Sequence, residues 1–299
     1  MRLVFSENLF SLQLPHGHRF PIGKYRRIYD LLAPRHGRLF QFAGRASLDD
    51  LRLIHDPSYI DSIEEASLEP QLARRLGFPL SPELADRSRR SVGGTLTALA
   101  WAIAHGAAGH LAGGTHHGFR NRGEGYCVYN DIAVAAAVAR RDHGIQRIAI
   151  IDLDVHQGNG TAAIFAGDSD IFTLSIHGER NYPFRKEASS LDIGLPDGCE
   201  DLTYLRALDK ALELIEAFRP ELIFYQAGVD VLAGDTLGRL ALTLEGTRRR
   251  NRRVYDLARR LGVPIVVTLG GGYHREIDRS IAAHVAVYED LIDAFPERS

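Results

Sequence analysis

Four short stretches of the chain are continuously apolar and rich in β-branched residues: 147–154 (RIAIIDLD), 171–177 (IFTLSIH), 222–228 (LIFYQAG) and 263–270 (VPIVVTLG). None shows the strict alternation of a half-exposed strand, and each closes on Gly, His or Asp. Continuous hydrophobicity of this length suits strands buried on both faces of a parallel sheet. Segments of helical character lie between and around them, at 130–141, 202–218 and 243–261. The alternation predicts an α/β fold of three layers, with a mostly parallel central sheet flanked by helices. In such sheets the ligand site forms outside the carboxyl ends of the strands, which is where the polar residues closing each run would stand.

The first 90 residues are less regular. Residues 15–21 read as a loop, 28–32 as the beginning of a helix, 58–66 as a helix and 76–82 as an irregular segment. No repeat, low-complexity linker or composition shift divides the chain, and 299 residues provide ample material for a large core, so 1–299 is read as one domain.

Charge narrows the picture. With 36 Lys plus Arg against 38 Asp plus Glu, the formal net charge of −2 indicates neither a strongly basic nucleic-acid binder nor an acidic disordered chain. All cations except Lys24, Lys186 and Lys210 are arginines. The run Arg248-Arg249-Arg250-Asn251-Arg252-Arg253 wraps more than one face of a helix and reads as a solvated basic face rather than a nucleic-acid patch. Two cysteines, Cys127 and Cys199, make no disulfide framework, which points to a reducing compartment, the cytoplasm. The N-terminus lacks the pattern of a signal peptide, and apolar stretches such as 132–139 fall short of the roughly 20 residues that span a bilayer.

Chemistry gathers at the strand ends. Asp152-Leu153-Asp154-Val155-His156 follows the 147–151 run; residues two apart on a strand share a face, so Asp152, Asp154 and His156 are expected to converge. A carboxylate and an imidazole so placed suit zinc or a similar divalent ion, and Asp230, after another run, is the candidate for the remaining ligand of an open site. Gly113-Gly114-Thr115-His116-His117 brings two imidazoles onto a tight turn. Either is a candidate metal ligand; the alternative is a general acid and base, with Asp152 and Asn159 as partners for the far ring nitrogens. Gly270-Gly271-Gly272-Tyr273 lacks the Lys-Ser/Thr of a phosphate loop and reads as flexible backbone that presents the Tyr273 hydroxyl as a hydrogen-bond donor.

Together these motifs, with Gly125-Tyr126-Cys127-Val128-Tyr129-Asn130-Asp131, resemble the zinc-dependent histone deacetylase family and its arginase-like fold, over about residues 15–285. Asn159 and the segment Asn181-Tyr182-Pro183-Phe184 are similar to the class IV and bacterial branches. The resemblance implies one catalytic Zn²⁺ on Asp154, His156 and Asp230. It makes His117 the general base and acid, His116 with Asp152 an electrostatic partner, and Tyr273 the oxyanion donor. Gly125, Tyr126 and Tyr182 match the walls of an acyl-lysine tunnel. A structural K⁺ is implied beside Asp152, Asp154, His156, Ser175 and Ile176. Two departures stand out: no rim Asp that grips a peptide backbone is identifiable, its region being the apolar Leu76-Gly77-Phe78-Pro79-Leu80, and Arg185-Lys186-Glu187-Ala188 replaces the family's Gly-Thr-Gly.

The expected activity is therefore removal of an acetyl or longer fatty acyl group from N-acylated lysine by metal-activated water. The apolar rim segment favours longer chains, since each buried methylene contributes about 0.8 kcal/mol. Deacetylation of an acetylpolyamine or other small amide is the alternative. A catalytically silent acyl-lysine binder is a third reading, disfavoured because zinc ligands, His117 and Tyr273 are all present.

Overall fold

The computed structural model describes residues 1–6, 9 and 11–296. From the N-terminus the elements are β1 (Arg2–Phe5), α1 (Lys24–His36), β2 (Phe40–Phe42), α2 (Leu48–Arg52), α3 (Pro57–Glu64), α4 (Pro70–Leu76), α5 (Pro82–His105) and β3 (Ala107–His110). There follow α6 (Asp131–His143), β4 (Ile148–Asp152), α7 (Asn159–Ile164), β5 (Ile171–Gly178), β6 (Leu191–Leu195), α8 (Asp201–Phe218), β7 (Leu222–Gln226), α9 (Leu244–Leu261), β8 (Ile265–Thr268) and α10 (Ile277–Ala294). The strands form one sheet in the order β2-β1-β3-β8-β7-β4-β5-β6. Every neighbouring pair is parallel.

The predicted α/β architecture is what the chain adopts, with the sheet parallel throughout. Every residue of β4, β7 and β8 is buried, so helices cover both faces of its centre. The helix boundaries follow local chemistry. Thr243 caps α9 by accepting from the Gly246 N–H, and Gly262 ends it in a left-handed turn; Asn130 and Gly144 do the same for α6. No helix among the described residues is long and apolar enough to cross a membrane. Cys127 and Cys199 are both free and buried.

Two expectations need correction. The strand read over 147–154 ends at Asp152, so Asp154 and His156 lie on the loop that follows and their convergence is not a matter of strand alternation. The arginine run of α9 is only partly solvated, because Arg250 and Asn251 lie wholly inside the core. The pattern had also given no sign of α5, a 24-residue helix. Gly93 and Gly94 interrupt its apolar face for a steric reason: a Cβ on Gly93 would run into the Gly44 carbonyl, and one on Gly94 into the His110 ring.

Candidate active site

The four loops that carry the sequence motifs leave the carboxyl ends of β3, β8, β7 and β4, which are adjacent at the centre of the sheet. After β3 the chain turns through Gly113 (φ 75°) and Gly114 (φ 74°). Asp131, the first residue of α6, holds this turn by accepting hydrogen bonds from the Gly114 N–H (3.1 Å), the Thr115 N–H (2.8 Å) and the Thr115 hydroxyl (2.6 Å). His116 and His117 are thereby fixed side by side, ring centroids 4.0 Å apart. Both are buried.

Their partners differ in charge. His116 Nδ1 lies 2.6 Å from Asp152 Oδ2, and His117 Nδ1 lies 2.6 Å from Asn159 Oδ1. Burial opposes a charge on His116, but Asp152 and Asp154 outweigh it and raise the imidazole above its usual range. Burial, with His116 and His156 nearby, holds His117 well below that range. One ring is thus disposed to carry a proton and its neighbour to remain neutral.

Beside them Asp154, His156 and Asp230 bring three ligand atoms within 4.8 Å of one another. His156 Nδ1 is 3.0 Å from Asp154 Oδ1 and 3.1 Å from Asp230 Oδ2. The carboxylates are set by backbone donors, Gly271 N–H to Asp154 Oδ2 (2.7 Å) and Val155 N–H to Asp230 Oδ1 (3.0 Å). The remaining oxygen, Asp230 Oδ2, is buried and has no well-aligned hydrogen bond. A Cβ on Gly271 would run into that oxygen, so this glycine leaves space for whatever it binds. The protons follow the same demand for a cation. Despite burial, the two carboxylates raise His156 to about 10, while burial and then Asp154 push Asp230 up to about 7. Two carboxylates and an imidazole, with one oxygen unsatisfied, fit a divalent cation.

These groups lie in a cavity of about 1330 Å³ whose lining includes Tyr126, Tyr182 and Tyr273. Gly125 (φ 54°) and Tyr126 (φ 69°) form a left-handed turn held by the carbonyls of Arg75 and Leu76. A non-glycine residue in this conformation is strained, and here it aims the Tyr126 ring at the cavity. Tyr182 stands edge-on to His117, centroids 5.0 Å apart, with its hydroxyl donating to Glu124 Oε2 at 2.6 Å. Tyr273 is held by its own N–H, which donates to Asp235 Oδ2 at 2.6 Å. The 76–80 segment is not the apolar rim the sequence suggested. Leu76 and Phe78 are buried, and Phe78 packs behind the Tyr126 ring at 5.3 Å.

Ser175 and Ile176 sit on β5, where Ser175 is in register with Asp152 of β4, next to the Asp154–His156 loop. All the sequence-derived site residues thus fall in one neighbourhood. Others gave no signal. Lys24 is buried, its ammonium donating to the Gly270 carbonyl at 3.1 Å; burial draws it down to about 8 against the pull of Asp230 and Asp154. Arg250 reaches from α9 to the carbonyls of Gly228 (2.7 Å) and Leu153 (3.1 Å), behind the two loops that carry the carboxylates.

An all-parallel sheet with these loops at its central strand ends is an α/β fold of the arginase/deacetylase type. The chain belongs to the histone deacetylase family: residues 18–288 match the family's histone deacetylase domain. It is 40% identical over 289 residues to an uncharacterised protein of Picosynechococcus sp., covering 94% of this chain and 95% of that one. Histone deacetylase 2 of Arabidopsis thaliana is 33% identical over 264 residues, 84% of this chain and 68% of that protein. An HDAC homolog from Aquifex aeolicus superposes with a TM-score of 0.84 at 25% identity, over 100% of this chain and 85% of that chain. The protein is accordingly a deacetylase-type hydrolase.

Proposed function

We propose that this protein hydrolyses N-acyl-lysine, releasing a free lysine side chain and an acetate or longer carboxylate. The observation that carries the reading is the histidine pair: two adjacent buried imidazoles, one on a carboxylate and one on an amide at 2.6 Å each, beside a two-carboxylate, one-imidazole cluster. Asp154, His156 and Asp230 would hold one Zn²⁺, which when bound supplies Lewis acidity to the acyl carbonyl and to the attacking water.

The chain's own groups do the rest. With Nδ1–H committed to Asn159, His117 keeps its Nε2 lone pair free; it takes a proton from the water and later delivers it to the leaving amine. His116, held protonated by Asp152, contributes positive charge close to the developing oxyanion. The Tyr273 hydroxyl donates to that oxyanion, a contact whose loss costs on the order of 100- to 1000-fold in rate. Gly125, Tyr126 and Tyr182 line the passage for the lysine stem and exclude water. We further expect a structural K⁺ beside Asp152, Asp154, His156, Ser175 and Ile176, held partly through backbone oxygens including that of Ile176, as suits a hard cation, and a cytoplasmic location.

The test is a panel of lysine peptides bearing acetyl, octanoyl and myristoyl groups, beside acetylated polyamines, with the zinc-loaded protein and release of the free amine as readout. Turnover of the peptides above the polyamines is the expected result. Polyamine turnover without peptide turnover would replace acyl-lysine with a small amide. No turnover of either would leave a binding protein.

A further inference from the structure

The mouth of the cavity carries far more positive charge than the chain as a whole. Outside the metal-ligand cluster its lining includes seven arginines against two carboxylates, Glu124 and Glu187. Many arginines of this protein are engaged in ion pairs, as in Arg26–Asp30, Arg27–Asp278 and Arg141–Asp50. At the mouth Arg75 and Arg122 pair with Glu124 and Arg239 pairs with Asp197, but three others stand apart. Arg19, Arg180 and Arg185 are exposed and pair with no carboxylate among the described residues. Of the two lining carboxylates outside the metal-ligand cluster, Glu124 is already engaged by the Tyr182 hydroxyl and by Arg122 at 2.9 Å, which leaves Glu187.

The loop bearing Arg180 and Arg185 is fastened rather than loose. Lys186 turns inward, its ammonium donating to the carbonyls of Asn181 (2.8 Å) and Pro183 (2.5 Å), and Gln157 binds the backbone of Glu187 in both directions. The two guanidiniums are thus presented from a held segment, with Phe184 between them 90% exposed. Unpaired guanidiniums beside an exposed aromatic ring suit a partner that is anionic with an apolar component.

Resting on the acyl-lysine reading above, we infer that Arg19, Arg180 and Arg185 select acyl-lysines in an acidic peptide segment. The lysine stem occupies the aromatic passage, so the residues flanking it in sequence are what reach the rim. Asp or Glu at those positions would face the three guanidiniums, and an apolar neighbour would cover Phe184. Acetylated polyamines carry further ammonium groups and would be repelled by the same surface, which is a separate argument for peptide over polyamine. Exposed ion pairs are individually weak and salt-sensitive, so three of them amount to discrimination of about tenfold.

The experiment uses the zinc-loaded enzyme and acetyl-lysine peptides identical except for Glu, Gln or Lys at the flanking positions, at 50 and 300 mM salt as chosen assay conditions (about 14 and 6 Å of screening length). The expected result is kcat/KM about tenfold higher for the Glu than for the Lys peptide at low salt, expressed mainly in KM and reduced at high salt. In the triple variant R19A/R180A/R185A, shown by melting temperature to be folded, the Glu-to-Lys ratio should collapse toward one. Charge reversal by Arg185→Glu should lower the Glu-to-Lys ratio further than Arg185→Ala does. Equal kcat/KM across the peptide series, or an unchanged ratio in the triple variant, overturns the inference. So does a single-stranded oligonucleotide that competes better than the Glu peptide, which would assign the rim to nucleic acid. Failure to hydrolyse any of the three peptides would instead remove the acyl-lysine reading itself.

Discussion

Arg250 offers a demanding test of how the metal-ligand loops are held. Its guanidinium is fully buried and donates to the carbonyls of Leu153 and Gly228, one residue before Asp154 and two before Asp230. Arg250→Met keeps much of the side-chain volume but removes both donors. Each buried carbonyl left unsatisfied costs about 1–3 kcal/mol. Against this, the variant no longer buries a cation, which recovers part of the loss. The net expectation is a destabilisation of roughly 2–4 kcal/mol. The two loops are also no longer tied to each other, and disturbing groups that orient metal ligands typically weakens affinity about 10- to 100-fold. Urea unfolding of the metal-free protein measures the first effect, and chelator competition for Zn²⁺ measures the second without reference to activity. Arg250→Lys, with a single compact donor group unable to bridge both carbonyls as the fork does, should fall between wild type and Met. Native stability together with native zinc affinity in Arg250→Met would refute the reasoning.

The remaining predictions are shorter. His117→Ala should abolish turnover with zinc still bound, whereas His116→Ala should retain measurable activity; equal loss or the reverse order would exchange their roles. His55, buried between the Phe119 carbonyl and the Asn130 N–H, is lowered from 6.5 to about 4, chiefly by burial. Above pH 6.5 it contributes nothing, since it is neutral in both states. As pH falls from there to about 4 only the unfolded chain gains the proton, so stability drops by up to about 1.4 kcal/mol per pH unit. Denaturant titrations should show a shallower acid slope in His55→Gln, and an identical slope would exclude His55 as the cause. Exchanging K⁺ for tetramethylammonium should lower the melting temperature of wild type and leave Ser175→Ala less affected; insensitivity of wild type would remove the K⁺ assignment.

What the sequence disclosed and what it concealed divide along a physical line. The central strands β4, β5, β7 and β8 were legible because strands buried on both faces must be apolar throughout, and their closing residues then stood out as polar. The short β3, Ala-Ala-Gly-His, and the edge strand β6, with alternate residues half exposed, offer no such run. Strand ends and glycine turns are local features, so His116, His117, Asp154, His156, Asp230 and Tyr273 could be picked out as candidates, and the fold brings them to one cavity. The supporting residues are not local. Asp131 reaches back to Thr115, Asp235 forward to Tyr273, Lys24 to Gly270 and Arg250 to Leu153, across separations that no motif spans. Each is moreover a charged residue inside the protein, where a reading from composition assigns charges to the surface. The error over the arginine run of α9 had that origin: one of its members is a core residue because two loop carbonyls need donors there. If these buried charges are what hold the strand-end loops in place, zinc affinity should respond to substitutions in α1, α6 and α9, far away in sequence, as well as to the ligands themselves. A chain carrying every strand-end motif but lacking Asp131 and Arg250 would then bind metal poorly, however complete its ligand set.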